Sequence, residues 1–236
     1  MNLCIIPARG GSKRIPRKNI REFCGKPMLA WSIEAAQASS CFDQIIVSTD
    51  DTEIAAVARH WGAAVPFKRP VELAGDYAGT TPVVAHAVQW HKDVGQEIDA
   101  VCCLYATAPF VLPSDIKSGL DMLQQTAADR FVFTATGYAS PIQRALRLDP
   151  ASGETHMWQP DYFSKRSQDL EPAFHDAGQF YWGRAHAWLH ANNLFEGSKA
   201  LILPSWRVQD IDTQEDWINA ELMLNALSKR KTTPNK

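Results

Sequence analysis

Apolar residues along this chain come in short blocks, separated by segments of helical period. Residues 3–7, 45–48, 64–67, 100–104 and 131–136 are brief apolar runs, the pattern of strands buried on both faces. The intervening segments read as helices. Residues 27–38 place Leu29, Ile33 and Ala36 on one face behind a leading proline. Asp51 opens a segment with Ile54, Val57, Ala58 and Trp61 at helical spacing, ended by Gly62. Thr81 is expected to cap a helix over 82–94, and 113–126 reads as a fourth. Repeated strand–helix–strand units predict an α/β fold, a mostly parallel sheet in a three-layer α/β/α sandwich.

The rhythm breaks after Gly137. Residues 141–149 and 154–163 read as a hairpin turned by Asp149-Pro150-Ala151-Ser152-Gly153. A polar stretch follows at 164–171, then a strand at 178–182, a helix at 184–192 and a strand at 200–203. A final helix starts at Thr213, with Trp217, Ala220, Leu224 and Leu227 on its apolar face, and 228–236 reads as a frayed polar tail. Repeats are absent, and no linker is long enough to separate distinct domains. The expectation is one domain over 1–236 with an inserted arm at 138–176.

Formal net charge is −2 over 236 residues, so any basic cluster is local. That disfavours a dedicated nucleic-acid binder. No apolar run reaches the length of a membrane span, and the chain opens on a core strand rather than a leader. Cys4, Cys24, Cys41, Cys102 and Cys103 are odd in number and lack metal spacing, which predicts buried reduced thiols in a cytoplasmic protein.

The densest chemistry lies at Ile5-Ile6-Pro7-Ala8-Arg9-Gly10-Gly11-Ser12-Lys13-Arg14-Ile15-Pro16-Arg17-Lys18-Asn19. Two glycines let the backbone turn tightly, and successive N–H groups in such a turn form an anion site. Five cationic side chains surround it. Neither the Walker spacing nor G-x-G-x-x-G is present. The reading is a polyphosphate cradle at the end of the first strand, where open α/β sheets bind ligands. Asp210-Ile211-Asp212 is the second signal. Two carboxylates flanking one residue in an extended segment project alike, and hard oxygen donors there suit Mg²⁺. The competing reading is helix capping by Asp212 or Thr213. Arg69 with Asp76, Thr80 and Thr81 suggests a nucleotide pocket, against a plain polar loop with a helix cap. Residues 166–170 and 175–182 offer charged, amide and aromatic groups suited to a sugar acid. His186 and His190 are four apart, but the glutamate of H-E-x-x-H is missing, so they read as packing.

The run from Ile6 to Asn19, then Gly25-Lys26-Pro27-Met28, Ile46-Val47-Ser48-Thr49-Asp50, Arg69-Pro70 and Asp210-Ile211-Asp212-Thr213, resembles the CMP-sialic acid synthetase family. The likeness runs in order from Met1 to about Leu227. Within the family, Pro141-Ile142-Gln143-Arg144-Ala145-Leu146, Arg166-Ser167-Gln168-Asp169-Leu170-Glu171 and His175-Asp176-Ala177-Gly178-Gln179-Phe180-Tyr181-Trp182 look like its pseudaminic acid branch. Sialic acid enzymes carry Gln-Pro-Thr-Ser-Pro where this chain has Tyr105-Ala106-Thr107-Ala108-Pro109, and Arg-Pro-Asn-Gly where it has His175-Asp176-Ala177-Gly178.

The resemblance implies a GT-A-like nucleotidyltransferase core, a homodimer whose β-hairpin arm reaches the partner's sugar pocket, and transfer of CMP from CTP to a nonulosonic acid. It assigns Arg9 and Lys18 to catalysis, and Ala8, Gly10, Gly11, Ser12, Lys13, Asn19, Arg69, Asp76, Thr80 and Thr81 to the nucleotide. Tyr105, Gln143, Arg144, Arg166, His175 and Gln179 are assigned to the sugar, and Asp210 and Asp212 to Mg²⁺. Rival readings are CMP-N-acetylneuraminic or CMP-legionaminic acid synthesis, a metal-dependent glycosyltransferase, and a non-catalytic nucleotide-binding module.

Overall fold

The computed structural model describes residues 1–75 and 77–232, the last three by backbone alone. Asp76 and the end of the expected tail, 233–236, lie outside the described residues. Six strands build the sheet: β1 (Asn2–Pro7), β2 (Gln44–Ser48), β3 (Ala100–Leu104), β4 (Phe131–Gly137), β5 (Phe174–Arg184) and β6 (Lys199–Ile202). Their order across the sheet is β6-β4-β5-β3-β1-β2. All pairings are parallel except those of β5, which runs antiparallel to both β3 and β4.

The alternation of side chains across the pleat divides the core in two. On one face, Cys4 and Ile6 of β1 and Cys102 and Leu104 of β3 meet α1 (Met28–Ser39), α2 (Thr52–His60) and α4 (Pro113–Gln124). On the other, Leu3, Ile5, Val101 and Cys103 meet α3 (Thr80–Asp93) and α5 (Ala185–His190). The three-layer α/β/α sandwich is therefore present. A third cluster joins α6 (Gln214–Thr232), through Trp217 and Ala220, to Ile15, Phe23, Met28 and Phe110. That cluster holds the cationic loop through the buried side chain of Ile15.

Several local expectations need correction. The strand expected at 64–67 contracts to a single bridge, Ala64 to Ile46. Thr81 is not a cap: α3 starts one residue before it, with Gly79 at the cap position and no side chain closing the end. The residues around α5 also differ from expectation. His186 and His190 are exposed, not packed, with ring centroids 4.5 Å apart. Cys4, Cys102 and Cys103 are buried as expected, whereas Cys24 is exposed and Cys41 half-buried. The last helix runs through residues expected to fray. Asp51 does cap α2, accepting from the Glu53 and Ile54 amides, and Gly62 ends it at φ +89°.

The arm forms a short hairpin, Leu146–Leu148 against Thr155–Met157, flanked by single 3-10 turns. Its strands are shorter than the sequence suggested because its apolar residues lack a covering layer. Leu146, Leu148, Trp158 and Phe163 are all exposed.

Packing is tight where α4 crosses the sheet. A Cβ on Gly119 would meet Phe180 Cε2 at 2.7 Å and Trp182 Cδ1 at 2.8 Å. Two opposed effects meet there. Alanine gains about 1 kcal/mol of helix propensity over glycine, while overpacking a tight core costs about 1–3 kcal/mol. Steric cost should win, so Gly119→Ala is expected to lower stability by about 1 kcal/mol in urea titrations. A stabilised variant would show that the two rings move aside freely.

Candidate active site

The cationic loop follows β1 and is held in place by hydrogen bonds within it and to its surroundings. Asn19 Nδ2 donates to the Arg9 carbonyl at 3.0 Å, closing the loop on itself. The Gly10 amide donates to Asp50 Oδ1 at 3.0 Å. Arg17, at φ +57°, turns away from the loop centre and binds both oxygens of Asp51, at 2.5 and 3.1 Å, and Glu53 at 2.5 Å. Lys18 Nζ donates to the Ile211 carbonyl at 2.6 Å. Gly10 is required by close approach: a Cβ there would lie 2.7 Å from Asp51 Oδ2. Gly11 faces open space. The Ser12 amide closes onto the Gly10 carbonyl at 3.1 Å and must turn over to reach a phosphate.

A cleft of about 600 Å³ opens beside this loop. It lies over the C-terminal ends of β1 and β3, where the chain reverses its winding direction across the sheet, the switch point at which such sheets bind ligands. Arg9, Ser12, Lys13, Lys18, Asn19, Arg69, Thr80, Tyr105 and Asp212 line it, all expected from the sequence. Ala8, Gly10 and Gly11 stand in the same loop behind the lining, and Thr81 sits one residue beyond Thr80. Arg14, Val83, Ala106 and Thr107 also line the cleft. Of these, Arg14 was legible as part of the basic run. Thr107 stood in the 105–109 motif without a role assigned to it.

Arg69 is almost wholly buried, with Nε on Ser48 Oγ at 3.1 Å and Nη2 on the Ser48 carbonyl. Burial pulls its guanidinium down to about 10, opposed by Asp50 and reinforced by the nearby charge of Arg9. A cation so weakly solvated favours an anion in the cleft.

The structure bears out the capping alternative for Thr213 and not for Asp212. Thr213 caps α6, with its Oγ1 accepting from the Asp216 amide, while Asp216 Oδ2 accepts from the amides of Asp212 and Thr213. Neither aspartate of the pair serves as the cap. Asp212 is paired with Arg14 at 2.7 Å and Lys18 at 3.2 Å. Partial burial, then the neighbouring Asp212, push the Asp210 carboxyl above its ordinary value. Among the described residues no third His, Cys, Asp or Glu joins them. Two carboxylates are oxygen donors of the kind a hard cation takes, and of the two only Asp212 lines the cleft.

The residues expected at the sugar fall into two groups. Tyr105 is in the cleft, its hydroxyl 2.7 Å from Thr80 Oγ1. Gln143, Arg144, Arg166 and His175 do not line it. Gln143 binds the Glu171 carbonyl at 3.0 Å, and Arg144 binds Ser167 Oγ at 3.2 Å and the Lys165 carbonyl, so both hold the arm together. Arg166 lies at the arm surface beside Asp169. His175 lies beside the Tyr138 ring, tilted to it by 59°, and contacts the Asp176 carbonyl. Gln179 is buried in β5, donating to the Arg207 carbonyl at 2.7 Å. Sequence reasoning missed Tyr181, whose hydroxyl donates to Asp176 behind Tyr105.

Residues 3–167 match the family described as Cytidylyltransferase. The chain is 46% identical over 223 residues to a pseudaminic acid cytidylyltransferase of Campylobacter jejuni, covering 94% of this chain and 95% of that one. It is 32% identical over 235 residues to the CMP-N,N'-diacetyllegionaminic acid synthase of Legionella pneumophila, with the same coverage. In fold it is similar to a CMP:2-keto-3-deoxy-manno-octonic acid synthetase solved with CTP, at TM-score 0.69 and 16% identity over 96% of this chain and 99% of that one.

The Arg17–Asp51 link makes a pH prediction. Hydrogen bonds from Arg17, Ile54 and Glu53 hold the Asp51 carboxyl below its ordinary value. A lowered carboxylate stabilises the fold above its unfolded pKa and loses that contribution as pH falls through the folded one. Asp51→Asn keeps a good cap but loses the charge, and should cost about 1 kcal/mol at pH 7 after solvent screening. As pH falls below the ordinary aspartate pKa of about 3.9 and through the lowered folded one, the gap to wild type should close. Paired urea melts at pH 7 and in acid test this; a constant gap would mean the carboxylate charge contributes nothing.

Proposed function

The chain belongs to the cytidylyltransferase family, and from that premise we propose that it joins CTP to pseudaminic acid, forming CMP-pseudaminic acid and pyrophosphate. The observation that carries this reading is the cleft itself. Arg9, Lys13, Arg14 and Lys18 face one volume at a sheet switch point, with Asp212 at its rim and Tyr105 on its wall. Such a volume suits a triphosphate beside a polar acceptor. The likeness to the Campylobacter enzyme over nearly the whole of both chains supports pseudaminic acid as the acceptor.

The chemistry asked of these residues is in-line displacement. The anomeric hydroxyl of the sugar acid attacks the α-phosphorus, and the bond to pyrophosphate breaks with its electron pair. Such a step needs positioning and charge neutralisation more than covalent participation. Arg9, Lys13 and Lys18 neutralise the phosphates, and Asn19 keeps the loop closed around them. Asp210 and Asp212 would hold Mg²⁺, which when bound supplies further neutralisation of the phosphate oxygens. For Asp212 this requires exchange: Arg14 and Lys18 leave the carboxylate for the phosphates as the nucleotide enters.

The arm completes the proposal. Its exposed apolar side chains fit a second copy of this chain. In such a homodimer the arm would carry Gln143, Arg144, Arg166 and His175 toward the partner's cleft, which explains why they do not line their own. No described helix is long and apolar enough to cross a membrane. We assign the enzyme to the cytoplasm, where CTP is made.

Pyrophosphate release should be fast with CTP and pseudaminic acid, and much slower when UTP replaces CTP. The same assay with N-acetylneuraminic and legionaminic acids decides the sugar. Preference for either would move the assignment to that rival, and equal rates with UTP would remove the cytidylyl half.

Arg9→Ala should lower turnover by about 10²–10³, the usual cost of one preorganised donor to developing charge. Its melting temperature should stay near that of wild type. A large loss of stability with little kinetic effect would make Arg9 structural.

A further inference from the structure

Strand β5 does not run straight past the cleft. Phe133 of β4 faces Tyr181 and Ala135 faces Asp176, so two steps along β4 are matched by five along β5. Three extra residues bulge out of β5 at that point. Gly178 lies inside the bulge at φ +60°, a left-handed backbone that glycine adopts at little cost. On its other edge β5 keeps its register with β3. Leu104 faces Phe180, and the Tyr105 amide donates to the Gln179 carbonyl at 2.9 Å. Gln179 therefore belongs to the bulge on one side and holds Tyr105 on the other.

Asp176, half-buried, spans this bulge. One carboxylate oxygen accepts from the Gly178 amide at 2.9 Å, and the other accepts from the Tyr181 hydroxyl. The two contacts bracket Gln179 along the chain. The Tyr181 ring in turn lies 5.4 Å from the Tyr105 ring. Tyr105 is also held by Ser32, whose hydroxyl donates to its carbonyl at 2.7 Å, and by Thr80, 2.7 Å from its own hydroxyl. A bulge disrupts the ladder and re-aims what it carries, so its shape must be set by something other than strand pairing. Hydrogen bonds to an ionised carboxylate are the strong kind for that purpose.

We propose that Asp176 is a positioning residue for the acceptor sugar. By clamping the bulge it fixes the Gln179 carbonyl and the Tyr181 ring, and through them the place of Tyr105 on the cleft wall. This rests on the proposed function, in which Tyr105 meets the sugar acid. Asp176 itself does not line the cleft and acts only through Tyr105.

The test compares two substitutions. Asp176→Ala removes both contacts. Asp176→Asn keeps an acceptor for the Gly178 amide and presents an amide group from which the Tyr181 hydroxyl can accept. Asp176→Ala should lower kcat/KM for the sugar acid by about 10²-fold, the cost of misplacing a positioning group by about 1 Å. CTP affinity, titrated by calorimetry without sugar, should stay within a few-fold of wild type, and Asp176→Asn should recover most of the loss. A double-mutant cycle reads the path through Tyr105: in a Tyr105→Phe background, Asp176→Ala should add little further loss. Tyr181→Phe keeps the buried ring and removes one contact. It should shift kcat/KM in the same direction and by less, and it carries the test if Asp176→Ala does not fold. The assays use whichever sugar acid wild type accepts. Wild-type sugar kinetics in the folded variants, parallel losses of CTP and sugar affinity, or additive losses in the cycle would overturn the positioning role alone. Wild type inactive with CTP and all three sugar acids would overturn the functional reading, and the positioning role with it.

Discussion

Everything at this site depends on holding like charges together before any anion arrives. Arg9, Lys13, Arg14, Lys18 and Arg69 face one cleft, and the nearness of Arg9 is felt in the lowered guanidinium of Arg69. Left alone, such a cluster would open the loop. The chain answers with two kinds of counter-charge. Asp50, Asp51 and Glu53 follow β2 and are committed to the loop's backbone and to Arg17. Asp212 pairs with Arg14 and Lys18 from across the cleft and is partly exposed. The first kind fixes the loop permanently. The second is placed so that a triphosphate can displace it, which makes the resting ion pairs a stand-in for the substrate's own charge.

The sheet explains why these groups meet. β1 lies between β2 and β3, so the loops after β1 and β3 diverge and leave a gap above their ends. The loop after β2 supplies the anchoring carboxylates. β5 then enters antiparallel between β3 and β4, which brings Tyr181 and Asp176 up behind Tyr105. An antiparallel insertion is thus what delivers the second wall of the cleft. The arm leaves the sheet after β4 and returns at the start of β5, so it sits at the same edge as that wall.

The nucleotide half was legible in the sequence because its signals are local. A loop of glycines and cations after an apolar run carries its chemistry in consecutive residues, and the structure places nearly all of them on one cleft. The acceptor half was not legible in the same way. Tyr105 meets Thr80, at the start of α3, and the Tyr181 ring, 5.4 Å away across the β3–β5 pairing, and neither is near it along the chain. Arg17 shows the limit within the loop itself. Composition counts it with the other cations, yet its left-handed backbone turns it toward Asp51. The expected strand at 64–67 failed for a related reason: apolar content signals burial, while pairing needs a neighbour in register. His186 and His190 were read as packing from spacing on a helix, though only the docked face of that short helix is covered.

The two walls of the cleft handle charge differently, and the reaction gives the reason. A carboxylate set directly in the cleft to take the proton would face an incoming triphosphate. Two like charges at 4 Å repel by about 4 kcal/mol under protein-surface screening, and the repulsion falls inversely with distance. Neutral hydroxyls avoid that penalty. The cationic wall can then be specialised for the leaving group, and the hydroxyl wall for the nucleophile. Thr80 and Tyr105, hydrogen-bonded at 2.7 Å, give that second wall polar groups with no charge to set against the phosphates.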